Sequence, residues 1–167
     1  MLRVIIGIND IELTATLSNS KTGLAIYNAL PFTGIAQRWG DQILFDIPVK
    51  IDVDNNATKN VDVGDLAYCT MGSTFCIFFG RTPFSRGKKP KAFNLVNIFG
   101  KIEGNLESLK GVSSQSKVQV KRLNDQKSDN FTFPEKGKII PLRQVTASND
   151  LEVITQRYNR KIINFCL

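Results

Sequence analysis

The densest charge in the chain is the run Arg81-Thr82-Pro83-Phe84-Ser85-Arg86-Gly87-Lys88-Lys89-Pro90-Lys91, which holds five basic side chains and no acidic one. Cations around an aromatic ring can hold a phosphate backbone and stack a base. Proline and glycine also make the run a loop, and a solvated loop carries lysine readily. Solvation is the ordinary explanation, so nucleic acid is not the expected partner. A second group, Asp52, Asp54, Asp62 and Asp65, invites a hard cation. Binding would need their oxygens to converge on one point. The spacing fits no calcium loop, so these read as turn aspartates and no metal is expected. Gly72-Ser73-Thr74-Phe75 and Gly80-Arg81-Thr82 lack the spacing of a phosphate loop. Glu103 and Glu107 stand four apart and read as surface residues.

What is missing narrows the chemistry further. The chain has no histidine. That excludes Ser-His-Asp and Cys-His catalysis and histidine-ligated zinc or haem. The cysteines are Cys69, Cys76 and Cys166, an odd number with no CxxC pair. They read as buried thiols in a reducing compartment. The apolar run at the N-terminus is too short for a signal peptide, and no stretch is long enough to span a membrane. A soluble, cytoplasmic protein without a cofactor is expected.

The elements that must carry any site follow from pattern. A chain of 167 residues with 42% hydrophobic residues suits one compact domain. Its net charge is +7, from 22 basic and 15 acidic residues. Residues 2–8 and 11–17 read as a hairpin around Asn9-Asp10. Ser18-Asn19-Ser20 offers N-caps for a helix over 22–30, with Leu24, Ile26, Tyr27 and Leu30 as its apolar face. Short strands are expected over 34–39, 42–51, 65–70, 74–79, 95–102 and 117–123, divided by turn residues. That pattern suggests an antiparallel barrel or sandwich. A short helix is expected over 105–110. Residues 124–137 are polar and loop-like. Beyond them Asn149 and Glu152 form a capping box, and Leu151, Ile154, Tyr158, Ile162 and Phe165 make one helical face. This basic helix would pack on the barrel or on a second subunit, which admits a homodimer.

Two segments in fixed order carry a resemblance. Gly72-Ser73-Thr74-Phe75-Cys76-Ile77-Phe78-Phe79 resembles the G-S-Q-F-F-I strand of cyclophilins. Val96-Asn97-Ile98-Phe99-Gly100-Lys101-Ile102-Glu103-Gly104, with Leu106 to Leu109 after it, resembles their H-V-V-F-G-K-V segment and the short helix that follows. The chain is more similar still to a family of small prokaryotic cyclophilin-like proteins. The shared pattern is Trp39-Gly40, Ile43-Leu44-Phe45, Val63-Gly64-Asp65-Leu66-Ala67-Tyr68, Phe78-Phe79-Gly80-Arg81-Thr82-Pro83 and Asn97-Ile98-Phe99-Gly100-Lys101. It spans about residues 2–120. The resemblance implies a mainly β fold, a closed cyclophilin-like antiparallel β-barrel with two short flanking helices over residues 1–123. Residues 124–167 are a C-terminal extension outside it.

Cyclophilins are prolyl isomerases. Rotation about an X-Pro bond faces ~18–20 kcal/mol because the amide is conjugated. An arginine bonded to the prolyl nitrogen weakens that conjugation, and a greasy pocket holds the ring. The resemblance maps the catalytic arginine onto Arg38. The surrounding shell departs from the family pattern, with Ile43 for a Phe, Asp46 for a Gln, Cys76 for a Phe, Lys91 for a Trp and Val96 for a His. The expected protein therefore binds a small molecule or peptide at a barrel mouth lined by Ile43, Phe45, Cys76, Phe78, Arg81 and Val96, without efficient isomerase activity. Two alternatives stand beside it. One is a prolyl isomerase using Arg38 as its catalytic residue. The other is a module that binds nucleic acid or a protein through the 81–91 loop.

Overall fold

The computed structural model of the protein describes residues 1–124. The C-terminal helix expected beyond Asn149 lies outside the described residues. Strand β1 (Leu2–Ile8) and strand β2 (Ile11–Leu17) form the expected hairpin, with Ile8 opposite Ile11. The two-residue turn needs Asn9 at φ 51°, a left-handed conformation that asparagine tolerates. Strand β2 alternates, while β1 also buries Ile5 on the opposite face. Val4, Ile6 and Ile8 point into the core, as do Leu13, Ala15 and Leu17. These residues recur with the period of 2 that puts alternate side chains on one face of a sheet.

Helix α1 (Lys21–Ala29) follows. Ser20 is its N-cap, and the Ser20 hydroxyl accepts a 3.1 Å bond from the Gly23 N–H. Ile26 and Leu30 are buried, but Leu24 is exposed and Tyr27 half-buried. The buried face is thus Thr22, Gly23 and Ile26 rather than the Leu24-Tyr27 stripe that the sequence suggested. Gly23 lets the helix approach the Ser18 carbonyl more closely than a side chain would allow.

The remaining strands are β3 (Phe32–Ile35), β4 (Gln37–Trp39), β5 (Gln42–Asp46), β6 (Thr58–Asn60), β7 (Asp65–Cys69), β8 (Thr74–Phe78), β9 (Lys91–Glu103) and β10 (Lys117–Arg122). A 3-10 turn over Glu107–Gly111 stands where a short helix was expected. Glu103 and Glu107 therefore sit on different elements. The strands make one antiparallel sheet in the order β3-β10-β1-β2-β9-β7-β8-β5-β4, with β6 added on β9. Neither β6 nor the full length of β9 was anticipated. Strand pairing does not run full circle, so the closed barrel expected from the resemblance is met only as a mainly β sheet with one helix. The expected strand over 34–39 is two strands that part at Ala36. Its first half pairs with β10 and its second with β5.

The main core lies on one face of this sheet. Phe45 stacks on Phe75 at 4.9 Å, and Phe99 meets Phe75 edge-on at 5.0 Å. Each such ring is fully buried and contributes roughly 1.5–3 kcal/mol. The ring of Phe45 also covers Gly34, where a Cβ would stand 2.7 Å from it. Strand β5 is thereby packed on β3, although the two do not pair. A second, smaller cluster lies on the opposite face: Val61, Ala67, Cys76, Phe78, Ala92 and Val96, with Leu44 and Cys69 packed against it.

Candidate functional site

The residues expected to share one barrel mouth fall on two faces of the sheet. Strand register decides this. Arg38 pairs with Ile43, and Ile43 with Ile77, which is the face of the main core. Phe45 pairs with Phe75 on that same face. Leu44 pairs with Cys76 and Gln42 with Phe78, on the other face. Ile43 and Phe45 are therefore interior packing, whereas Cys76, Phe78 and Val96 belong to the second cluster. Arg81 is exposed at the start of the basic loop. One-residue steps along a strand reverse the side chain, which sends Ile43 and Phe45 to one face of β5 and Gln42 and Leu44 to the other.

Arg38 is engaged with the protein itself. Its Nη1 donates to the carbonyls of Lys110 at 2.6 Å and Val112 at 2.7 Å. Its Nε donates to the Gly40 carbonyl at 2.9 Å, and Nη2 to Asp41 at 3.3 Å. The guanidinium also lies 5.4 Å from the centre of the Phe79 ring. It satisfies carbonyls at the end of the 3-10 turn and ties that turn to β4.

On the second face there is a groove of about 140 Å³. Leu44, Cys69, Cys76, Ala92 and Val96 supply apolar wall, Gln42, Thr74 and Asn94 supply polar groups, and Trp39 and Phe93 stand at the exposed side. Of the residues named from sequence, Cys76 and Val96 line it. Trp39, Gln42, Leu44 and Phe93 were not anticipated in this role. Phe93 was hidden from sequence because it falls between the basic 81–91 loop and the strand expected over 95–102, whereas β9 begins at Lys91. Burial pushes the Cys76 thiol up to about 12, with nearby Cys69 adding to the rise. Cys76 is therefore a neutral thiol at physiological pH and a wall, not a nucleophile.

The acidic group serves local structure. Asp54 accepts from the Thr22 hydroxyl at 2.8 Å, Asp65 from the Asp62 N–H at 2.7 Å, and Asp62 pairs with Lys89 at 2.9 Å. Hydrogen bonding to the Lys89 ammonium, and its charge, hold the Asp62 carboxyl below the usual carboxylate range. No cluster of metal-ligating side chains occurs among the described residues. None of the described helices is long and apolar enough to cross a membrane.

An antiparallel β sheet with one helix and a 3-10 turn after its longest strand makes this a mainly β protein. A family model described as cyclophilin-like matches residues 1–121. The chain belongs to this cyclophilin-like family. It is similar to a hypothetical protein from Archaeoglobus fulgidus of known solution structure, with 36% identity and a TM-score of 0.64. That match covers 72% of this chain and 94% of the other. The structure of McbB in complex with tryptophan is similar in fold alone, at 13% identity and a TM-score of 0.54, over 82% of this chain and 46% of that one. No curated protein matches the chain. The family name describes a fold, and the archaeal relative is itself hypothetical, so neither assigns a reaction.

Proposed function

We propose that the protein binds one small apolar group, from a short peptide or a small molecule, in the groove between Leu44, Cys76 and Val96, without efficient isomerase activity. The groove carries this reading. Its volume of about 140 Å³ suits a single side chain or ring, and is below the roughly 300–1,000 Å³ typical of pockets for larger ligands. Its apolar wall would hold the group by burial, while Gln42, Thr74 and Asn94 in the lining could supply hydrogen bonds to a peptide. Arg38 weighs against the isomerase alternative. A catalytic arginine must offer a donor to the prolyl nitrogen, and this one spends four of its five N–H groups on Gly40, Asp41, Lys110 and Val112.

The test is an amide chemical-shift titration with a blocked Ala-Ala-Pro-Ala peptide and with N-acetylproline amide. Shifts should concentrate at Leu44, Thr74, Cys76, Asn94 and Val96, and Cys76→Leu, which fills the groove, should remove them. No shifts at millimolar ligand, or shifts indifferent to that variant, would defeat the proposal. Catalysed isomerisation of the peptide would restore the enzyme reading.

A further inference from the structure

The basic loop and three exposed rings converge in a way that the linear order of the chain conceals. Trp39 comes from β4, Phe84 from the loop and Phe93 from β9. Their exposures are 46%, 38% and 56%. Phe84 lies between the others, with ring centres 6.4 Å from Trp39 and 4.7 Å from Phe93. Large apolar rings gathered at the surface usually mark a contact surface.

The loop that presents Phe84 is held at its root. The buried Thr82 hydroxyl donates to the Lys91 carbonyl at 2.6 Å, which ties the start of the loop to its end. Ser85 N–H donates to the Thr82 carbonyl, and the Ser85 hydroxyl accepts from Thr82 N–H, both at 3.0 Å. Of the five cations, Lys89 is paired with Asp62. Arg81, Arg86, Lys88 and Lys91 make no ion pair among the described residues.

We propose that Trp39, Phe84, Phe93 and the 81–91 loop form a platform for a single-stranded nucleic acid. Its bases would stack on the ring row and its phosphates lie along Arg81, Arg86 and Lys88. Charge alone would suit any polyanion. The rings decide the class, since a single strand alternates negative charge with flat π faces, and every base has such a face. An acidic peptide brings the charge without the faces. The platform shares Trp39 and Phe93 with the rim of the groove, but Phe84, Arg86 and Lys88 do not line it, so variants at these three test the platform separately.

The experiment uses the full chain and fluorescein-labelled oligo-dT and oligo-rU of twelve nucleotides. Binding is followed by anisotropy, and stacking by quenching of Trp39, the chain's one tryptophan. Binding should quench Trp39 and weaken steeply with salt. Phe84→Ala should weaken it about tenfold or more, a typical loss for one stacked base. Arg86→Gln combined with Lys88→Gln should lower the log-log salt slope by roughly 1.4, for two lost contacts to single-strand phosphates. The charge variant should keep the wild-type melting temperature, since Arg86 and Lys88 are exposed. Phe84→Ala, which also loses ring packing, should stay folded at the assay temperature by circular dichroism. The proposal is overturned by absent binding at 25 mM salt. Binding that the variants leave unchanged overturns it too, since basic residues elsewhere in the chain would then be responsible. So does a poly-glutamate peptide that competes as well as the oligonucleotides, which would point to an acidic protein partner.

Discussion

Arg38 donates a 2.6 Å hydrogen bond from Nη1 to the carbonyl oxygen of Lys110, a residue 72 positions further along the chain. The residue that most resembles a catalytic arginine is thus the clasp between β4 and the 3-10 turn. In the catalytic reading its guanidinium would have to reach a substrate. In the structural one it neutralises carbonyls that have no partner within the turn.

The two roles predict different losses. Arg38→Ala should destabilise the fold by about 1.5–3 kcal/mol, the usual scale for a hydrogen bond to a charged group. Arg38→Lys should recover only part of it, because an ammonium cannot reproduce the planar fork that spans Gly40, Lys110 and Val112. Urea denaturation reads both. If Arg38→Ala leaves the midpoint unchanged, Arg38 is no clasp.

Asn97 is buried and makes three hydrogen bonds. It donates to the Thr22 hydroxyl at 3.1 Å and the Asp52 carbonyl at 2.9 Å, and accepts from Asp54 N–H at 2.9 Å. It ties β9, α1 and the 52–54 segment together. Asn97→Leu should cost about 2–4 kcal/mol, because it strands buried polar groups as well as losing bonds. Faster amide exchange at Asp54 should accompany the loss. Exchange at Asp54 that is no faster than in the wild type would show that another contact holds this segment.

The hydroxyl of Tyr68 donates to the Val49 carbonyl at 2.8 Å and accepts from Ile51 N–H at 3.2 Å. It pins an irregular segment that follows β5 without belonging to the sheet. Tyr68→Phe keeps the ring and removes both bonds, so a loss of about 1–3 kcal/mol is expected. Thermal unfolding checks it, and a variant as stable as the wild type would show that other contacts pin the segment.

Cys76 titrates at about 12 in the fold against an ordinary value of 9.0. Between those values the unfolded chain has lost the proton and the folded protein keeps it. Stability from this group is therefore complete below pH 9.0 and is lost as pH rises towards about 12. Cys76→Ala should flatten the fall in stability over that window relative to the wild type, whatever it does at pH 7. Equal slopes for the two proteins would show the thiol is not buried as described. Alkylation of Cys76 at pH 8 should also be slow until the protein is unfolded.

Much of the fold was legible one segment at a time. The hairpin around Asn9-Asp10 and the Ser20 cap are local, set by turn chemistry, β-branched residues over 2–8 and alternation over 11–17. The glycine-and-phenylalanine segments around Phe78 and Phe99 carry the family. The limits of that reading were equally physical. The break at Ala36 depends on β10 and β5 competing for one run of chain. Strand β6 has only three residues, Thr58–Asn60, and exists because β9 offers it an edge.

By itself, then, the amino-acid order determined a mainly β chain of cyclophilin kind, with no histidine chemistry and a basic loop. It could do so because alternation, turn residues and composition act over short distances. Which side chains meet was decided only in three dimensions. Pairing Leu44 rather than Ile43 with Cys76 sends Ile43 and Phe45 into the core and opens the groove on the other side. Packing likewise turned Arg38 into a clasp and set Trp39, Phe84 and Phe93 in a row. These relations join residues far apart in the chain, and they depend on strand register and loop closure, which no short window of sequence contains.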